Sequence, residues 1–420
     1  MDAAAVASVA LIVFGWGLCS ARLGRADLSA PIVFVAAGLL LAEGLHVVEV
    51  DVPPEAVKLL AEITLVWVLF ADASRVGLRE LRADLGLYAR LLGVGLPLTM
   101  VAGTLLAVWL FDGLGFWPAL LVGAALAPTD AALGASVMTD PRVPDRVRRL
   151  LNVESGLNDG IATPVVMVAI AAEGIQHHGV SAALAALGIG LVAGIVAGAV
   201  GGSALRIARR RGWASEDFAG PAVLALTLVA YAGTLWLSGN GFVAAFVAGL
   251  AYGHVARRGG EREIYYVEQT AGLMSLLTWL VFGAVAVPTV LAGADWRCLV
   301  YAVLSLTVVR MVPVALALIG TRLPALTVAF LGWFGPRGLA SVIFAVIALE
   351  ELPGEPGRAV TVIGVTVLLS VLAHGLSAKP LAGRYAARVD GVAHPGPARP
   401  WAAHLPVRGL LPHRADRNPV

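Results

Sequence analysis

Apolar residues run along this chain in thirteen long blocks separated by short polar or basic stretches. The blocks cover roughly 3–22, 30–46, 55–72, 85–111, 116–138, 148–172, 180–207, 218–237, 240–256, 264–291, 294–319, 323–350 and 356–379. A hydrocarbon core about 30 Å thick is crossed by roughly 20 apolar residues in a helix, so each block predicts a membrane-crossing helix. The predicted fold is an all-α polytopic membrane protein with about 13 transmembrane helices. The first block lacks the basic lead of a signal peptide and is read as a helix of the mature chain.

The polar stretches predict orientation. All but five of the 30 Lys and Arg lie in or beside the loops after odd-numbered blocks, or in the tail. The exceptions are Lys58, Arg297 and Arg358 at block edges, and Arg310 and Arg337 inside blocks. Basic loops stay cytoplasmic, which predicts the N-terminus outside and the C-terminus inside.

Composition agrees with this class and narrows the partners. Of 420 residues, 59% are hydrophobic and 14% charged, with a mean hydropathy of +0.84; soluble chains carry about 25% charged residues. A net charge of +2 gives no argument for nucleic acid. Cys19 and Cys298 lie in or beside separate blocks, so neither a disulfide framework nor a metal site is expected, and both are read as packing residues.

Blocks 1–6 and 8–13 form two sets of six, with the seventh as a link. Matching members are seven apart, so the two sets are upside down relative to each other. In the fifth member of each set a Pro interrupts the apolar run, at Ala127-Pro128-Thr129-Asp130 and at Gly335-Pro336-Arg337-Gly338. Two broken helices at matching positions of inverted repeats point to a transporter's midplane site. Such crossed breaks place helix ends of both signs together. Asp130 and Arg337 can neutralise those ends, and freed carbonyls near Thr129 can ligate a cation. Asp130 is left between dipole compensation and direct ion contact.

The sixth block carries the remaining chemistry. Residues four apart share a helical face, so Ser155 and Asp159 form one stripe, and Glu154 and Asn158 another about 100° round. A hydroxyl with a carboxylate suits a hard monovalent cation or a proton. A carboxylate with an amide suits an internal ion pair, for which Arg310 and Arg337 are the available bases, since a lone charge in lipid is costly. Asp72 closes the third block as an interfacial acid. Glu43, Asp112, His254 and Glu268 sit near block ends and call for no special role.

The run Val153-Glu154-Ser155-Gly156-Leu157-Asn158-Asp159-Gly160, with Ala127–Asp130, Thr139-Asp140-Pro141 and Gly332–Gly338, resembles cation/proton antiporter family 1. That family holds the NhaP-type sodium/proton antiporters and the animal sodium/hydrogen exchangers, and the similarity extends to about Tyr385. The resemblance implies one exchanger domain over 1–385, working as a homodimer in the plasma membrane. It implies a dimer domain at about 1–80 and 218–291, a linker helix at 180–207, and an ion-transporting core at about 85–172 and 294–380. Its ion carboxylate falls on Asp159, the neighbouring amide on Asn158, the ligand hydroxyl on Ser155, the broken-helix pair on Thr129 and Asp130, and the buried ion pair on Glu154 and Arg310. Many relatives carry a third-helix Glu directly after Leu-Phe. Here that position is Ala71, and Asp72 follows one residue later, turned by about 100°.

The expected activity is exchange of Na⁺ (or Li⁺) for H⁺, one for one, with no cofactor. The alternatives are K⁺/H⁺ exchange on the same fold and, further off, a cation channel. An intramembrane enzyme would need a base beside Ser155, and no His is expected within a span core. The tail, 386–420, is rich in Pro, Arg and His and is expected to be a disordered cytoplasmic extension.

Overall fold

The computed structural model describes residues 3–26, 28–44, 54–76, 82, 84–173, 179–256, 260–351 and 357–389, and among them there is no strand. In chain order the helices are α1 (Ala3–Arg25), α2 (Ala30–Gly44), α3 (Pro54–Ser74), α4 (Leu85–Leu110), α5 (Phe116–Ala125), α6 (Ala135–Met138), α7 (Asp145–Glu173) and α8 (Gly179–Arg210). They continue as α9 (Glu216–Trp236), α10 (Gly241–Ala256), α11 (Glu261–Gly293), α12 (Trp296–Ala317), α13 (Ala325–Trp333), α14 (Leu339–Glu351) and α15 (Gly357–Val389). Eight of them, α1, α4, α7, α8, α9, α11, α12 and α15, are long and apolar enough to cross a membrane. The third predicted block, α3, has the length but also carries Glu55, Lys58, Glu62 and Asp72.

Proline explains most of the irregularities. It lacks an N–H and its ring crowds the carbonyl four residues back. In α4 and α11 the helix widens into a π-turn just before the proline, at Leu91–Gly95 ahead of Pro97 and at Phe282–Ala286 ahead of Pro288. Such a turn takes up the lost hydrogen bond without ending the helix. The two predicted interruptions go further. The fifth block divides into α5 and the four-residue α6, and the twelfth into α13 and α14. A third interruption was not expected: α12 is broken at Thr307 (φ −108°, ψ −90°), three residues before Arg310.

Packing partners fall into two sets. In one, α10 and α11 both pack on α3, with α2 against α11 and α9 against α10 and α11. In the other, α5 packs on α4 and α7, α12 on α13 and α15, and α14 on α15. Helix α8 lies against α10 and also touches α7, while α3 meets α7 and α14 between the sets. A Lys58–Glu351 ion pair ties α3 to the end of α14.

Several expectations change here. Glu268 is buried and ion-paired with Arg75, joining α11 to the end of α3, so it has a structural role. Asp112 meets Arg297 at 3.4 Å. Cys298 is buried, but Cys19 is exposed on α1 and packs no interior. Helix α15 runs on to Val389, past the expected start of the tail, and residues 390–420 lie outside the described residues.

The contact between α3 and α10 is as close as backbones allow. A methyl group on Gly249 would stand 2.4 Å from the Phe70 carbonyl oxygen. Gly249→Ala is therefore expected to destabilise the protein by about 1–3 kcal/mol through overpacking. Gly15→Ala, on the open face of α1, should leave the melting temperature in detergent unchanged. Equal melting temperatures for the two variants would contradict the packing.

Candidate functional site

The two breaks meet each other directly: the Asp130 N–H donates to the Pro336 carbonyl at 2.8 Å. From there each break caps the other's helix. Helix α14 begins with unpaired amides, and Asp130 supplies their acceptor, with Oδ2 receiving the Leu339 N–H at 2.9 Å. Its Oδ1 receives the Ala132 N–H at 2.7 Å and the Leu133 N–H at 3.3 Å. A carboxylate at a helix N-terminus is stabilised by the unpaired donors and the dipole together.

Arg337 returns the favour at the other end. Helix α5 stops with carbonyls that lack partners, and the buried guanidinium donates through Nη1 to Ala127 O and to Pro128 O, the latter at 3.2 Å. Nη2 reaches Ser305 O at 3.4 Å, next to the α12 break. Ser341 of α14 adds a hydroxyl donor to Ala125 O at 2.6 Å. Of the alternatives left open for Asp130, the observed contacts are those of a cap, because both its oxygens accept amides.

Glu154 chooses between the two bases. Its Oε1 accepts from Arg310 Nη2 at 2.5 Å, and both residues are 1% exposed. Arg310 Nε and Nη1 have no hydrogen-bond partner. A pair so buried is held less by its net energy than by the cost of stranding either charge.

Thr129, between the two caps, turns towards α7. Its Oγ1 lies 2.9 Å from Ser155 Oγ and accepts from Asn158 Nδ2 at 2.7 Å. Asn158 Oδ1 is buried with no partner among the described residues. These contacts orient α7. Counting about 100° per residue, Glu154 faces α12, and Ser155 with Asn158 faces the break. Gly156 faces α3, where an added methyl would lie 3.9 Å from Asp72 Cβ, and Gly160 faces α10, where it would meet the Phe246 ring. Asp159, which is half-buried, falls about 40° from Ser155 and about 60° from Gly156 on this wheel. It therefore sits on the seam where the break, α3 and α7 converge.

Two residues stand differently from their sequence reading. Asp72 is buried at 9% exposure and lies against α7, so it is no interfacial acid. His374 lies in the middle of α15 at 1% exposure, contrary to the expectation of no His in a span core. Its ring reaches Ser370 and the Trp333 carbonyl, while Ser155 is engaged by Thr129. Sequence reasoning could have found it as an ionisable residue inside an apolar run. Asp140, of the Thr-Asp-Pro motif, sits in the loop before α7. Its side-chain hydrogen bond with Arg142 holds its carboxyl below the usual carboxylate range, and it receives the Arg142 N–H at 2.9 Å.

Crossed broken helices, capped reciprocally beside a carboxylate on a helix seam, define an ion-transporting membrane protein. The chain matches the sodium/hydrogen exchanger transmembrane family over residues 7–384, and it belongs to that family. It is 30% identical over 376 residues to the K(+)/H(+) antiporter NhaP of Alkalimonas amylolytica, covering 87% of this chain and 63% of that protein. It is 27% identical over 379 residues to Na(+)/H(+) antiporter 2 of Zygosaccharomyces rouxii, covering 75% of this chain and 45% of that protein. The chain thus spans less than two thirds of the length of these curated relatives. Its fold matches that of the sodium proton antiporter MjNhaP1 from Methanocaldococcus jannaschii at pH 8, with a TM-score of 0.72, 19% identity, and coverage of 91% of this chain and 98% of that one.

Neutralising one member of the buried pair, by Glu154→Gln or Arg310→Met, should cost about 3–5 kcal/mol, because the other charge is left stranded. Neutralising both should restore much of the loss. Thermal melting in detergent checks this. Single variants as stable as wild type but altered in cation affinity would move Glu154 into the ion site.

Proposed function

We propose that the chain is a secondary antiporter exchanging a monovalent cation for a proton, with Asp159 as the carrier of both. The observation behind this is the position of Asp159 on the seam, one turn from Ser155 and beside a hydroxyl cluster. The carboxylate of Asp159 with the hydroxyls of Ser155 and Thr129 would ligate the cation, and Asn158 would hold Thr129 in place. Protonation removes the charge that binds the cation, so the two ions exclude each other.

Alternating access on this reading is movement of the α4–α7 and α12–α15 set against the α2, α3 and α9–α11 set, with α8 as the link. The moving unit would carry both breaks, the Glu154–Arg310 pair and Asp159. A homodimer in the plasma membrane, with basic loops in the cytoplasm, is part of the same proposal. Na⁺ or Li⁺ suits the small all-oxygen ligand set. K⁺ is the second reading, supported by the name of the Alkalimonas relative. Asp72, already packed against α7, is the further acid whose position favours a role in ion choice.

Asp159→Asn should abolish exchange while the protein still folds and melts near the wild-type temperature. Proton flux in proteoliposomes, driven by Na⁺, Li⁺ and K⁺ in turn, checks this and ranks the ions. A variant still exchanging near the wild-type rate would remove Asp159 from the centre of the mechanism.

Exchange should also be electroneutral. The Asn158 amide does not titrate, and Arg310 is paired with Glu154. Asp159 then has the same net charge with a proton as with a monovalent cation. Voltage acts only on net charge moved, at about 2.3 kcal/mol per elementary charge per 100 mV. Imposing a valinomycin–K⁺ potential on proteoliposomes carrying out Na⁺-driven exchange should leave the rate unchanged. A clear acceleration would mean that a second acid, such as Glu154, Asp130 or Asp72, titrates during the cycle.

A further inference from the structure

We infer that His374 is a positioning residue for the ion site, acting through one turn of α15 that clamps both edges of the α13–α14 break. The last carbonyls of a helix lack internal partners, and Trp333 is the final residue of α13. Its oxygen lies 2.9 Å from His374 Nε2. A carbonyl only accepts, so Nε2 carries the hydrogen. On the other side of the break the Arg337 N–H donates to Ser370 Oγ at 2.6 Å. Ser370 and His374 are four residues apart and share one face of α15.

The same two side chains close on each other. Ser370 Oγ accepts from Arg337, which leaves its own hydrogen for His374 Nδ1, 3.1 Å away. Nδ1 also lies 3.0 Å from the Ser370 carbonyl oxygen. A neutral imidazole offers a donor at one nitrogen and an acceptor at the other; with Nε2 donating to the Trp333 carbonyl, Nδ1 is left to accept from the Ser370 hydroxyl and gives the Ser370 carbonyl no hydrogen. The ring centroid is 5.3 Å from that of Trp333, whose Nε1 donates to Ser377 Oγ at 3.1 Å. The end of α13 and the residue leading into α14 are thus pinned to one turn of a continuous helix.

From the clamp a line of hydrogen bonds leads to the ion ligands. Ser370 fixes the Arg337 backbone, the Arg337 guanidinium holds the Ala127 and Pro128 carbonyls, and the next residue, Thr129, presents its hydroxyl to Ser155 and Asn158. Releasing the Trp333 edge lets the break lengthen, draws Arg337 off the α5 carbonyls and displaces Thr129. His374 touches no ion on this account.

Two variants separate hydrogen bonding from packing. His374→Phe keeps the ring volume and the contact with Trp333 but has neither nitrogen. His374→Gln keeps an amide donor for the Trp333 carbonyl. Each is compared with wild type by cation-dependent proton exchange in proteoliposomes and by hydrogen–deuterium exchange over residues 334–342. His374→Phe should raise the apparent KM for the cation about tenfold, with a much smaller change in maximal rate, and speed amide exchange in that segment. His374→Gln should stay within about twofold of wild type in both. A His374→Phe protein matching wild type in KM and amide exchange overturns the inference. So does a His374→Gln protein as impaired as His374→Phe, which would make the role one of packing. The KM readout rests on the antiporter reading. Wild-type protein without cation-driven proton flux would sink that reading, while amide exchange over 334–342 would still decide the clamp.

Discussion

The reciprocal capping of two broken helices is the interaction on which the rest of this structure depends. A chain inside a bilayer has no water with which to satisfy the ends of interrupted helices, and each unpaired backbone group there costs several kcal/mol. Here the ends of α5 and α14 are brought together so that each break supplies what the other lacks. Asp130 gives the α14 amides an acceptor, and Arg337 gives the α5 carbonyls donors. Both charges are thereby neutralised by helix ends of opposite sign. Neither break would be tolerable alone, which is why the sequence carries them as a pair.

This arrangement frees other groups for chemistry. With Asp130 and Arg337 occupied, Thr129 is the one polar side chain of the Pro-Thr-Asp break left to face α7, where it meets Ser155 and Asn158. With Glu154 and Arg310 paired, two further buried charges are removed from the ion's surroundings. Asp159 is the other acid of the motif, half-buried on α7. Its place on α7, between the hydroxyl cluster and the helices of the other set, follows from Glu154, Ser155, Gly156 and Gly160 each facing a different neighbour.

Much of this was legible in the sequence because membrane burial makes polar residues conspicuous. The two prolines beside charged residues marked the breaks, and helical spacing on α7 put Ser155 and Glu154 on different faces, but Asn158, expected beside Glu154, turns to Thr129 on the Ser155 side. What could not be read was the choice among chemically equivalent partners. Glu154 could have paired with Arg310 or Arg337, and Asp130 could have met an ion or an amide. Those choices depend on distances between helices far apart in the chain. The break at Thr307 left no sign because no proline or glycine marks it. Asp72 was misread because closeness to a block end says nothing about which neighbour covers it. His374 was missed because a single polar residue barely lowers the hydropathy of a long apolar run.

A site of this kind limits transport through its unloaded state. With Glu154 and Arg310 compensating each other and the caps compensated by helix ends, Asp159 sets the net charge of the proposed ion site. Loaded with a proton or with a monovalent cation, that site is neutral. Empty, it carries one more negative charge than when loaded, and moving that charge between the two helix sets costs several kcal/mol even after relaxation. One residue on, Gly160 of α7 lies directly under the Phe246 ring of α10, so the two helix sets are in close contact there. The loaded forms can therefore pass between the two helix sets and the empty form cannot, so on this reading each proton carried one way obliges a cation to travel the other. Coupling then needs no gate that senses ions and no second energy source. It follows from the electrostatic cost of moving the unloaded carboxylate between the helix sets.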